Sequence, residues 1–267
     1  MELRRKGPME VLRGSPPEPP QRQPGFFDLV VNRLQAVGIS LVAGLLFSAT
    51  IVIVFGLLAR EVFLTARAGP LDSEITLFVR GLHTPTRDNL ALVATFFGGH
   101  LFLIPATIVV ALVLRAMGHP VSALLFFSSV AGGFVLNALL KITFHRARPD
   151  LWPALVSEHT YSFPSGHAAM STVFYGGLAA VVLHLTDRLV PRVSAVLFAL
   201  IAIVTIAGTR VYLGVHWTTD VVAGFVVGIF WVGVSAIATE IVYRRVPKAR
   251  PVLRHRRTAV APTTGPS

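Results

Sequence analysis

Long apolar runs separated by short polar stretches dominate the chain. Runs long enough to cross about 30 Å of hydrocarbon, at about 1.5 Å of rise per residue, predict six membrane-spanning helices. They fall near residues 38–59, 90–114, 121–143, 167–185, 193–209 and 219–242. The expected fold class is all-α, a six-transmembrane-helix bundle. Between the first two runs, Ile75, Leu77, Phe78, Gly81 and Leu82 alternate with Asp72, Glu74, Arg80 and Arg87 at roughly helical spacing. This predicts a short amphipathic interfacial helix, packed over the bundle or bordering a lipid access path.

The runs divide the chain into a tail over residues 1–36, a six-span domain over 37–243 and a second tail over 244–267. The first 25 residues are rich in Pro, Arg, Glu and Gln and bury no core, so disorder is expected there. The segment also lacks the short apolar core and small-residue cleavage site of a signal peptide, and is expected to be retained.

Composition agrees with a membrane setting. A chain of 267 residues that is 53% hydrophobic, with a mean hydropathy of +0.67, has too little polar surface for a soluble globule. The formal net charge of +11 does not call for nucleic acid, because the positive residues gather beside the spans. Arg4, Arg5, Lys6, Arg13, Arg22 and Arg33 precede the first, and Arg244, Arg245, Lys248, Arg250, Arg254, Arg256 and Arg257 follow the last. Arg115, Arg188 and Arg192 lie in connections on the same side. The excess of Lys and Arg marks that side as cytoplasmic, where anionic inner-leaflet lipid attracts it. The expectation is a multi-pass protein of the plasma (inner) membrane with both termini in the cytoplasm. No cysteine is present, which excludes disulfides, thiolate catalysis and Cys-based metal sites.

Three polar clusters then stand out, each at the edge of an apolar run and all on the opposite, outward-facing side: 141–149 (KITFHRARP), 163–167 (FPSGH) and 209–220 (TRVYLGVHWTTD). A phosphate ester carries up to two negative charges, and its equatorial oxygens must accommodate more as the phosphoryl group transfers. Arg148 and Arg210 offer planar forks for bidentate phosphate contact, and Lys141 a compact point charge. Ser165 and Gly166 stand where a helix begins, with unpaired N–H groups and the positive end of its dipole; glycine lets the backbone approach an anion. His216 and Asp220, four apart, share a face if helical. A carboxylate beside an imidazole fixes its tautomer and prepares it as nucleophile or base. His167 would then be the acid that protonates the leaving oxygen. Each residue has a plainer use. The cations can anchor helix ends by snorkelling, Ser165 can be a helix cap, and a lone histidine can sit at an interface as an amphipathic anchor. Their joint spacing favours phosphate chemistry. His145 and Arg146 are expected to face headgroups, Glu158 and His159 to lie on the loop between clusters and bear on specificity, and His100 to make a polar contact within the second span.

These motifs resemble those of the type 2 phosphatidic acid phosphatase superfamily, integral membrane lipid phosphate phosphatases. That pattern is Lys, six residues, Arg-Pro; Pro-Ser-Gly-His; then Ser-Arg, five residues, His, three residues, Asp. Here it reads as Lys141, Arg148 and Pro149; Pro164, Ser165, Gly166 and His167; and Arg210, His216 and Asp220, with Thr209 where a serine is usual. The resemblance implies His216 as the nucleophile forming a phosphohistidine, Asp220 as its partner, and His167 as the general acid. It implies Lys141, Arg148, Ser165, Gly166 and Arg210 as phosphate binders, with no metal and no other cofactor. Asp220 is the single acid in the three motifs, whereas a two-metal phosphatase needs several. The partners implied are a lipid phosphate and membrane lipids: phosphatidic acid, phosphatidylglycerol phosphate or polyprenyl diphosphate. A lipid phosphotransferase using the same histidine is the alternative. A transporter would instead place ionisable residues near the midplane.

Overall fold

The computed structural model describes residues 46–47, 49–63, 69–152 and 155–246. The expected N-terminal tail, most of the C-terminal tail and the start of the first expected span lie outside these. Chain contacts separate two units, Met1–Phe47 and Ser48–Ser267. Of the first, residues 46 and 47 are described, both helical; the account below concerns the second.

Every regular element among the described residues is helical. Residues 49–63 (α1) are followed by α2 (Pro70–Arg80), α3 (Pro85–Phe96), α4 (His100–Ala116), α5 (Pro120–Phe144), α6 (Gly166–Leu185), α7 (Leu189–Tyr212) and α8 (Thr218–Arg245). Four of these, α5 to α8, are long and apolar enough to cross a membrane, and α3 with α4 makes a fifth if the bent pair is one span. Prolines set several starts, at Pro70, Pro85 and Pro120, where the missing N–H costs nothing.

Helix α6 lies at the centre. Half of its apolar window is buried, against 17 to 28% for α5, α7 and α8, and it packs on all three. A helix buried on all sides reads as uniformly apolar; buried residues run without interruption from Ala168 to Tyr175. Phe126, Val130, Met170, Val173, Phe174, Ile203 and Ile206 form the main core between α5, α6 and α7.

The structure divides the expected second span. α3 and α4 meet at a 42° bend, and the break holds Gly98 and Gly99. Gly98 touches its neighbours so closely that a Cβ would lie 2.2 Å from Ile206 Cγ2 and 2.9 Å from Ser171 Oγ. The Tyr175 hydroxyl donates to the Phe97 carbonyl at 2.9 Å, satisfying a group the break frees. His100 is therefore the exposed first residue of α4 rather than a contact in mid-span.

A helix forms over Pro70–Arg80, inside the interval where one was expected, but its polar side faces the protein. Asp72 and Thr76 are buried, while Leu71, Leu77 and Phe78 are exposed.

α6 and α8 come together at Gly224, where a Cβ would stand 2.7 Å from the Ser165 carbonyl oxygen and 2.8 Å from Ala168 Cβ. Gly224→Ala is expected to force the helices apart and cost about 1–3 kcal/mol, read as a lower unfolding midpoint in detergent. An unchanged midpoint would mean that α6 and α8 separate freely at this point.

Candidate active site

All three polar clusters arrive at one end of the bundle because α5 and α7 end there while α6 and α8 begin there. α5 stops at His145, whose left-handed φ of 48° ends the helix, with its N–H still donating to Lys141 O at 3.2 Å. A non-glycine residue in this conformation turns the chain at some cost. The returning loop is tied to the first cluster by Ser162 N–H donating to Arg146 O at 2.8 Å. After α7, a turn at Gly214 (φ 73°) leads through His216 into α8. Ser165 N–H donates to Asp220 O at 2.9 Å, joining the second cluster to the third.

His216 is almost wholly enclosed. Its Nδ1 lies 3.4 Å from Asp220 Oδ2 and 3.3 Å from Ser162 Oγ, and its Nε2 lies 3.0 Å from an Arg148 Nη1. A guanidinium only donates, so Nε2 carries the free electron pair and Nδ1 the proton directed at Asp220. Burial lowers the His216 pKa to about 3, although Asp220 opposes the shift. The imidazole is thus neutral at physiological pH, the state a nitrogen nucleophile requires. Asp220 Oδ2 also accepts from Trp217 N–H at 2.9 Å and from Ser162 Oγ at 2.5 Å.

Arg148 borders the His216 Nε2 nitrogen, and Lys141 lies within electrostatic range of it. Arg148 donates to Val215 O at 2.7 Å and Thr160 O at 2.8 Å. Arg210 is buried and donates to Thr95 Oγ1 at 2.6 Å. Lys141 Nζ donates to Tyr161 O. Glu158 joins them: one carboxylate oxygen accepts from Arg210 and the other lies 3.6 Å from Arg148 Nη2. A carboxylate held between two arginines is the arrangement expected of a phosphate oxygen pair. Arg210 Nε and Ser165 Oγ are both buried without a hydrogen-bond partner. Ser165 occupies the N-cap position of α6 but makes no side-chain cap bond, so its hydroxyl is not spent on capping. Gly166 packs on Asn137 and Lys141. The His167 ring lies against Gly98 and Gly99, within electrostatic range of Arg210, His216 and Arg148.

Every candidate residue is therefore at this end of the bundle. Four further residues join them without having been singled out from the sequence as site residues: Asp72, Thr95, Arg146 and Ser162. Arg146 was expected among headgroups and is 4% exposed, with its guanidinium on Asp220 and Asp72. The available signal in the sequence was its place inside the first polar cluster, between Lys141 and Arg148. His145 itself is exposed beside Tyr161.

Comparison with known proteins places this arrangement in a family of membrane phosphatases. The family model described as the PAP2 superfamily matches residues 122–244. A phosphatidylglycerophosphatase B of Bacillus subtilis is 31% identical over 149 residues, 55% of this chain and 73% of that protein. A lipid A 1-phosphatase of Rhizobium johnstonii is 33% identical over 134 residues, 47% of this chain and 49% of that protein. A crystal structure of a transmembrane PAP2-type phosphatidylglycerolphosphate phosphatase from Bacillus subtilis superposes with a TM-score of 0.67 at 26% identity, over 73% of this chain and 97% of that one. The chain belongs to the PAP2 superfamily.

Proposed function

We propose that the protein hydrolyses a lipid phosphate monoester or diphosphate, without a metal, through a phosphohistidine formed at the outer face of the plasma (inner) membrane. The observation that carries this reading is the orientation of His216: Nδ1 directed at Asp220, and Nε2 at Arg148, which with Arg210 holds the Glu158 carboxylate. In the reaction, Lys141, Arg148 and Arg210 balance the charge on the phosphoryl oxygens, and the Ser165 hydroxyl and the N–H groups of the first turn of α6 add donors. The Nε2 electron pair forms the N–P bond while the bond from phosphorus to the leaving oxygen breaks. His167 supplies the proton that oxygen takes. Water then attacks the phosphohistidine, His167 accepts its proton, the N–P bond breaks, and inorganic phosphate leaves.

The bundle in this reading has six spans, with residues 49–63 in the first, both tails in the cytoplasm and α2 at the outer interface. The outward Leu71, Leu77 and Phe78 then meet lipid, and the substrate class is phosphatidic acid, phosphatidylglycerol phosphate or polyprenyl diphosphate. The named relatives, a phosphatidylglycerophosphatase and a lipid A phosphatase, support a lipid phosphate. The test is phosphate release by purified protein in detergent with excess chelator, over a panel of these lipids. No release from any of them would overturn the hydrolase reading.

Glu158 holds the position that an anion would take, so substrate must displace it. Glu158→Gln is expected to lower KM and the inhibition constant of inorganic phosphate together by about 3- to 10-fold. Unchanged phosphate inhibition would mean that the carboxylate stands aside from the phosphate.

A further inference from the structure

Arg146 and Asp72 form a buried ion pair outside the residues given roles above, and Arg146 joins it to Asp220. One Arg146 Nη donates to Asp220 Oδ1 at 2.5 Å and to Thr219 Oγ1 at 2.7 Å. The other donates to Asp72 Oδ2 at 2.9 Å. Asp72 accepts in addition from Thr219 N–H at 2.9 Å and Thr219 Oγ1 at 2.6 Å. Asp220 and Asp72 are 0% and 1% exposed, so this is a closed array of two carboxylates and one guanidinium. The guanidinium also lies 5.9 Å from the Trp217 ring centre, beside His216 in sequence.

The charges decide what the array does. Asp220 is useful to His216 only as a fixed anion with one oxygen on Nδ1. With Oδ1 bound by Arg146 and Oδ2 shared by Ser162, Trp217 N–H and His216, the carboxylate cannot rotate. A lone cation at 2.5 Å would, however, cancel much of the field that Asp220 exerts on the imidazole. Asp72 offsets that cation from its far side, leaving Asp220 anchored while its charge still acts on His216. Asp72 comes from α2, so the short helix after α1 reaches into the catalytic couple.

We infer that Arg146 and Asp72 form a positioning pair for the His216–Asp220 couple, Arg146 fixing the carboxylate and Asp72 balancing Arg146. Neither touches the phosphate. The inference rests on the proposed histidine nucleophile, and binding of two inorganic probes to the full-length protein separates the two. Inorganic phosphate reads the cationic pocket alone, whereas orthovanadate, which can take a nucleophilic nitrogen as its fifth ligand, also reads the readiness of His216 Nε2.

The experiment titrates both anions into wild type, Arg146→Met, Arg146→Lys and Asp72→Asn in detergent, with the unfolding midpoint recorded for each. Arg146→Met is expected to weaken vanadate by about 10- to 100-fold, the size of effect that misplacing a catalytic group by about 1 Å produces, with phosphate affinity unchanged. Arg146→Lys should recover part of the loss. Asp72→Asn should weaken vanadate in the same direction but less, and it carries the test if Arg146→Met does not fold. Equal weakening of both anions, or vanadate binding that neither Arg146→Met nor Asp72→Asn alters, overturns the positioning role. A wild type that binds vanadate no more tightly than phosphate overturns the histidine nucleophile, and the positioning role with it.

Discussion

His216→Ala is expected to lower turnover by at least about 10⁴-fold, while leaving the affinity for inorganic phosphate within about 3-fold of wild type. The asymmetry follows from how the site divides its work. In the proposed reaction, charge on the phosphoryl group is met by Lys141, Arg148 and Arg210, each of which keeps another partner when the imidazole is gone. Arg148 is fixed by Val215 O and Thr160 O, and Arg210 by Thr95 and Glu158. Removing the ring takes away the nitrogen proposed to attack phosphorus, which lies 3.0 Å from Arg148 Nη1. With radiolabelled substrate, wild type stopped in alkali should retain label on the protein and lose it in acid, as a phosphorus–nitrogen bond does. The variant should retain none. Turnover within about 10-fold of wild type would show that water attacks the phosphorus directly and that His216 is not the nucleophile.

Much of the bundle could be read before any coordinates because apolar runs end where helices leave hydrocarbon. The expected spans 121–143, 167–185 and 219–242 differ from Pro120–Phe144, Gly166–Leu185 and Thr218–Arg245 by three residues or fewer at each end. The run at 193–209 was short because Arg192, Pro191 and Arg210 bound it, whereas α7 continues through them from Leu189 to Tyr212. The break at Gly98 was hidden for a related reason: a glycine pair inside an apolar run does not shift hydropathy, and its need appears only when Ile206 and Ser171 come from elsewhere to fill the space. The direction in which α2 faces was hidden because lipid and protein interior are both apolar. The pattern shows that two faces differ, and not which of them meets the protein.

The candidate site divides the same way. Residues close together along the chain, such as Arg210, His216 and Asp220, leave a pattern of fixed spacing in the sequence. Residues that act on those residues leave little, because their partners lie far off along the chain. Asp72 reaches Arg146, and Glu158 reaches Arg210, only through the packing of α2 and the placement of the loop after α5. From the sequence Asp72 reads as a polar position on an amphipathic helix, and Glu158 as a loop residue bearing on specificity with no partner indicated.

His167→Ala is the second large effect, and it should depend on the substrate. His167 is the second residue of α6, whereas His216 belongs to the turn between α7 and α8, so the two imidazoles come from separate elements held together by the Ser165 N–H bond to Asp220 O. A lipid alcohol leaves as a strong base and needs a proton as its bond to phosphorus breaks; a nitrophenolate is stable without one. Loss of the acid should therefore reduce kcat/KM for a lipid phosphate by about 10²- to 10⁴-fold and for p-nitrophenyl phosphate by less than about 10-fold. Equal losses on the two substrates would remove the acid role and leave His167 as a support for the pocket, which its contact with Gly98 and Gly99 would account for. Unequal losses assign the proton to His167. The break between α3 and α4 then acquires a catalytic purpose, because a side chain at Gly98 would stand 3.1 Å from His167 Cδ2 and push the acid off its line to the leaving oxygen.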